Sequence, residues 1–306
     1  MKRFLALCGI GASLAVTIAI DTQSARPPTL LTYAVQSSGN LCVARADGSR
    51  PARLTRGKDQ APAWSPNGRR VVFSRQVGAA SKIVVADSRG RIVRSLTQAG
   101  AFADPAWSAD GKSIAYVSQK LRSRVVIVTS AGRALGELLV APTAAVSRPA
   151  WAPDGRRIAF AENIETESSA AGTSRIVVVN VDGTGRHVLV GQASDPAWSP
   201  NGSKIAYVGY PSRFSEAGSI VVANADGSAA QHITAAAGPE LRPAWSPSGR
   251  RIAFMRITGG KSTIVVVRAD GRGERVAAGS RGAGAVDPAW RPAALLPKAR
   301  RPACLS

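Results

Sequence analysis

Cysteine, histidine, aromatic rings and acidic groups are all scarce in this sequence, and each shortage closes off a class of protein. Three cysteines in 306 residues are too few for a disulfide-built scaffold, and none stands in a C-x-x-C spacing of the kind that holds zinc. Two histidines, His187 and His232, leave little material for histidine-based catalysis. Aromatics make up 5% of the chain, against 30 Gly and 19 Pro, which suits many short elements joined by tight turns better than long helices. With 19 Asp+Glu against 40 Lys+Arg the formal charge is +21, so the chain is no acidic disordered tail.

Long apolar runs are also missing, with one exception. Lys2 and Arg3 precede an apolar stretch from Phe4 to Ile20, after which Asp21 to Ala25 turn polar and Arg26-Pro27-Pro28 interrupts any helix. That layout predicts a secretory signal peptide over residues 1–25, or an anchor if it is left uncut, and hence a periplasmic or extracellular protein. Two cysteines then remain, Cys42 and Cys304, in an oxidising compartment. A G-x-S-x-G motif is absent, and Gly260-Lys261-Ser262 lies in a predicted hairpin loop instead of the strand-to-helix turn of a phosphate loop.

What the sequence does have is a repeat. Its six tryptophans are Trp64, Trp107, Trp151, Trp198, Trp245 and Trp290, each the third letter of P-A-W, at spacings of 43, 44, 47, 47 and 45. Five of the six run on into a turn and a strand, as in PAWSPNGRRVVF, PAWSADGKSIAY and PAWAPDGRRIAF, with an aromatic nine residues after each Trp: Phe73, Tyr116, Phe160, Tyr207 and Phe254. The S-P-N/D-G segment reads as a tight turn, and a β-branched run such as Ile176 to Val179 reads as a third strand. An Asp-Gly turn then leads to a fourth, on which His187 and His232 lie as solvated positions. Four strands in about 45 residues make a propeller blade. Leu30 to Val35, Asn40 to Ala46 and Arg53-Leu54-Thr55 supply a blade lacking its first strand, and Val286 to Trp290 supply a first strand alone. The predicted fold is therefore all-β, a six-bladed β-propeller closed by its N-terminal strands pairing with the C-terminal strand.

The P-A-W-S-P-D/N-G-R/K-x-I-A-F/Y pattern resembles the TolB-type, WD-like propeller repeat, over residues 26–292, with 293–306 as a C-terminal tail. The family's Tol-Pal member carries an α/β domain before its propeller, and about 29 residues ahead of the first strand lead us to expect that domain to be lacking here. The repeat is also similar to the propellers of prolyl oligopeptidase relatives, which continue into an α/β-hydrolase domain. The resemblance implies a fold firmly and a function only loosely.

Departures from the repeat carry the functional reading. Outside the signal, Phe102, Tyr210 and Phe214 are the only aromatics not explained by the repeat, and all three are predicted on the face of the second-to-third loops. Glu162, Glu165, Glu167 and Glu216 are expected there too, in the longest loops. The residues before P-A-W are Ala61, Asp104, Arg148, Asp195, Arg242 and Asp287. Their charges alternate from Asp104 to Asp287, at the mouth of the central channel. Ion pairing between blades is the leading reading of this set; the intervening arginines argue against a carboxylate metal site. Cys42 and Cys304 are disulfide candidates that would bolt the closing blade.

These features predict an exported, monomeric, non-catalytic protein-binding or scaffold module of the cell envelope, with no cofactor and no metal. Its expected partner is an envelope protein or peptide. Nucleic acid is not expected, because the bases are dispersed over turns such as Arg69-Arg70, Arg156-Arg157 and Arg250-Arg251 and the chain is exported. Contact with a membrane is expected only through an uncut leader. The alternatives are a channel-mouth hydrolase or lyase and a small-ligand binder.

Overall fold

In a computed structural model the described residues are 29–119, 122–139, 144–166, 169–212, 215, 217–235, 238–279 and 284–292. They form 24 strands in six antiparallel sheets of four, and no helix. Each sheet is one blade. The inner strands are Asp59–Trp64, Phe102–Trp107, Ala144–Trp151, Ala193–Trp198, Glu240–Trp245 and Ala285–Arg291, for blades 1 to 6. Each packs against the inner strands of both neighbours, and the last packs against the first, so the array is a ring.

Blade 6 is the composite one. Its inner strand pairs with Leu30–Val35 in the register Leu30 to Arg291, Leu31 to Trp290 and Thr32 to Ala289, and Leu41–Arg45 and Ala52–Arg53 complete the sheet. The two ends of the chain thus share one ladder, and the ring has no open edge between its first and last blades. Tyr33 is buried there in the place held by Phe or Tyr in the other blades. Cys42, also fully buried in this blade, is disulfide-bonded. Cys304 lies outside the described residues, as does Cys8.

The core is a set of clusters between blades, not a single centre. Phe73, Phe160 and Phe254 are fully buried, each among the β-branched residues of adjoining sheets. The tight turns after the inner strands of blades 1, 2, 4 and 5 share one device, a serine hydroxyl that accepts an amide from the start of the second strand. In blade 1 the Ser65 hydroxyl accepts from the Arg70 amide at 3.0 Å, and Gly68 sits at φ 63°, a backbone conformation that favours glycine.

The longest second-to-third connection departs from expectation. Residues read as a loop continue the ladder of blade 3, in strands Arg157–Thr166 and Ser169–Asn180. Glu162, Asn163 and Ile164 pair with Arg175, Ser174 and Thr173, so the ladder runs on past the expected end of the strands.

Candidate functional site

The site grows out of one backbone irregularity repeated six times. In every blade the pairing of inner and second strands slips by a residue just ahead of P-A-W. The residue at the slip takes a positive φ although it is not glycine: Ala61, Asp104, Arg148, Asp195, Arg242 and Asp287 lie between 49° and 60°. A left-handed residue inside a strand bulges the chain and re-aims its side chain. All six of these residues line one cavity of about 720 Å³ at the channel mouth.

In blades 1, 3 and 5 the preceding blade supplies an acceptor for the backbone N–H at the bulge. Asp104 Oδ2 accepts from the Arg148 amide at 3.1 Å, Asp195 Oδ2 from the Arg242 amide at 2.9 Å, and Asp287 Oδ2 from the Ala61 amide at 3.0 Å. Each aspartate therefore ties its own blade to the next. The guanidinium groups add a second set of links. Arg148 lies 3.3 Å from Asp104, 3.7 Å from Asp195 and 3.2 Å from Asp287, and Arg242 bonds Asp287 as well.

Ion pairing between neighbouring blades was the sequence expectation, and the geometry goes further. Arg148 of blade 3 meets Asp287 of blade 6, its opposite number in a ring of six, so the network crosses the channel axis. The network lies partly out of water, which strengthens each Coulomb interaction within it. The Asp287 side chain is only 2% exposed. Burial disfavours its charge, but Arg148 and Arg242 outweigh that and hold its carboxyl below the ordinary range. Burial likewise works against the charge of Arg148, and Asp104, Asp287 and Asp195 together reverse it and raise the pKa. Arg242 goes the other way: burial and the neighbouring Arg148 lower its pKa despite the aspartates.

Tyr210, Ser212, Asn163, Ser174, Gln60 and Gln192 are among the polar residues that complete the cavity wall. The Tyr210 hydroxyl shares a 2.9 Å hydrogen bond with Ser194, and burial pushes its pKa up. Tyr210 is thus part of the mouth itself.

Other expected members of a loop patch fall elsewhere. Phe102 does not stand on an exposed connection: it is the first residue of the blade 2 inner strand, buried, with its ring edge-on to Tyr116 at 5.7 Å. It belongs to the core because the strand begins two residues before Asp104 and turns the ring inward. Glu162 is fully buried instead of solvated, 2.7 Å from both Arg175 and Arg186. The extended blade 3 ladder sets Arg175 directly opposite Glu162, and a carboxylate taken out of water must be paired. Asp59 with Arg75 and Glu240 with Arg256 are likewise buried acids paired across strands, there between the inner and second strands of blades 1 and 5. Glu165 lies in the strand Arg157–Thr166; Glu167, Phe214 and Glu216 lie outside the described residues.

The same six bulge residues also line a second cavity further along the channel, whose remaining wall is Pro, Ala and Trp from all six repeats. His187 is exposed and His232 bonds Ser219 on an outer strand, both far in the blade from the mouth-lining strands. Among the described residues no group of three or more His, Cys, Asp or Glu is placed to hold a metal ion.

Comparison with solved structures fits this geometry. The chain superposes on TolB from Acinetobacter baumannii with a TM-score of 0.73 at 18% identity, covering 87% of this chain and 67% of that one. The fold is a TolB-like propeller. A protein assigned as a TolB from Agrobacterium tumefaciens matches with a TM-score of 0.60 at 17% identity, covering 82% of this chain and 88% of that one. An oligogalacturonate lyase in complex with manganese matches with a TM-score of 0.52 at 15% identity, covering 82% and 72%. No family model and no curated relative matches the sequence. Identities this low speak for the fold alone.

Proposed function

We propose that this protein is an exported, non-catalytic binding module of the cell envelope, and that its channel mouth receives another envelope protein or a peptide segment of one. The carrying observation is the condition of the charged groups at the mouth. Asp104, Asp195 and Asp287 each accept a backbone amide, and arginines engage all three. Groups tied in this way shape a rigid polar wall; none stands as a free general acid, base or nucleophile. Tyr210, half-buried with a polar tip, gives that wall an aromatic contact of the sort enriched at protein interfaces. The likeness to TolB and the leader-like N-terminus support an envelope location.

The fold shared with an oligogalacturonate lyase favours a second reading, a channel-mouth lyase or hydrolase. Its chemistry would fall to three aspartates and two arginines already joined to one another, which is why binding is preferred.

Photo-crosslinking separates these readings. A benzophenone side chain at Ser212 or Asn163, both at the mouth, is expected to trap a defined envelope polypeptide, and Tyr210→Ala to reduce its yield. The same group at Asn201, in an exposed turn after the blade 4 inner strand, should not trap it. Equal yields from both ends of the ring, or none from the mouth, would overturn the proposal.

A further inference from the structure

The charged ring at the mouth has a threefold pattern broken at one place. Aspartates stand in blades 2, 4 and 6, and each accepts the amide of the pre-Pro residue in the blade that follows. In blades 3 and 5 that following residue is an arginine, Arg148 or Arg242. In blade 1 it is Ala61, with the same bulge, the same amide bond and a φ of 49°, but only a methyl group. Three carboxylates thus face two guanidinium groups, and every other described residue of the cavity wall is uncharged. Among the described residues of that wall, one negative charge has no counterpart, in a chain whose net charge is +21.

The imbalance has a location. In ring order Arg148 stands between Asp104 and Asp195 and Arg242 between Asp195 and Asp287, whereas only the methyl group of Ala61 stands between Asp287 and Asp104. The sector between Asp104 and Asp287 is the blade 1 sector, walled by Gln60, Ala61 and Ser74. It opens into the 720 Å³ cavity, space enough for a long side chain with flanking backbone.

We propose that this sector takes the guanidinium of an arginine side chain from the bound polypeptide, which completes the ring of three aspartates and three arginines from outside. The proposal rests on the mouth being a polypeptide-binding face and specifies what that face recognises. A guanidinium is preferred to an ammonium because its planar fork can meet two carboxylates at once, as Arg148 does. Desolvated charge at an interface of this kind sets specificity more than raw affinity.

The test uses the full chain and calorimetry at low salt with blocked pentapeptides Gly-Gly-Arg-Gly-Gly and Gly-Gly-citrulline-Gly-Gly, citrulline being the uncharged isostere. The arginine peptide is expected to bind at least about tenfold tighter than the citrulline peptide, and tighter than free L-arginine. Ala61→Arg supplies the missing group from the protein itself at a backbone conformation that arginine already adopts at 148 and 242. That variant should fold, melt no lower than wild type and lose the arginine peptide. Asp104→Asn should weaken the peptide about tenfold. Equal binding of the two peptides, undiminished binding by Ala61→Arg, or tighter binding of free arginine than of the peptide overturns the inference. Those outcomes leave the cross-linking at Ser212 untouched, and absence of mouth adducts would sink the polypeptide-face reading whatever the peptides do.

Discussion

Two levels of the inner strands, the bulge residue and the tryptophan, are three residues apart in sequence and opposite in character. At one level stand six P-A-W segments, identical in every blade, walling the channel with apolar rings and proline. At the other stand Ala61, Asp104, Arg148, Asp195, Arg242 and Asp287, no two neighbours alike. The tryptophan end is held by non-directional burial, which works the same way six times and so can repeat unchanged. The mouth end is held by charge, and charge closes a ring only if signs alternate. A repeat that must be identical for packing is therefore free to differ only where polar groups meet the cavity, and a ligand finds its distinguishing chemistry there.

The contrast is most sharply broken at Trp64. Its ring is buried, its indole N–H donates to Thr32 Oγ1 of the closing blade at 2.8 Å, and the Arg291 guanidinium lies 4.5 Å above it. Trp64→Ala removes a filled volume at the seam between blades 6 and 1, for which about 3 to 5 kcal/mol is expected. Urea unfolding should show that loss to the same extent at low and high salt.

Arg148→Ala should behave in the opposite way. Removing the one side chain that meets all three aspartates leaves buried carboxylates uncompensated, at a cost of about 2 to 4 kcal/mol in low salt. Added salt should shrink the deficit, since screening lowers the repulsion among the carboxylates that remain. Arg148→Lys is expected to recover only part of it, because a compact ammonium cannot reach three partners. A salt-independent deficit would mean that Arg148 acts by packing, and the contrast between the two ends would fail.

A finer probe returns to the tryptophan end. Trp245 and Trp290 each donate to the alanine carbonyl of the previous blade, at 3.0 and 2.9 Å, whereas the indole N–H groups of Trp107, Trp151 and Trp198 are buried with no acceptor among the described residues. Thr32→Val would put Trp64 in the latter group, with an expected loss of about 1 kcal/mol by the same unfolding measurement. A much larger loss would show that hydrogen bonding, not burial, holds this end.

The ring was legible in the sequence because its signal is periodic: six tryptophans at near-constant spacing place six inner strands, and the unmatched ends at Leu30 and Trp290 require each other. The mouth residues were legible for the same reason, as the one variable letter before an invariant motif. What sequence did not disclose depends on side-chain direction. Phe102 follows the residue pattern of a connection, yet the strand starts at that residue and buries it. Glu162 sits among acids in a polar stretch, but the register that brings Arg175 opposite it is a property of the sheet. That Arg148 reaches across the axis to Asp287 follows from the left-handed bulge, and a non-glycine residue with positive φ before proline has no signature in composition.

The smallest effect concerns acid, and Asp287 decides its sign. Burial opposes its charge while Arg148 and Arg242 prevail, so its pKa is lower in the folded protein than in the unfolded chain. A carboxyl of that kind adds stability above the unfolded-state value of about 3.9, and the contribution is lost as pH falls through the folded value. Asp287→Asn should therefore lie furthest below wild type in urea midpoint at neutral pH, and the gap should narrow below about pH 4 as wild type loses the same charge. Trp64→Ala should keep its deficit across that window, since burial of an indole involves no proton. If the Asp287→Asn gap held constant from pH 7 to pH 3, the amide bond to Ala61 would be the whole of Asp287's role, and the arginines would be holding each other's surroundings in place without drawing on its charge.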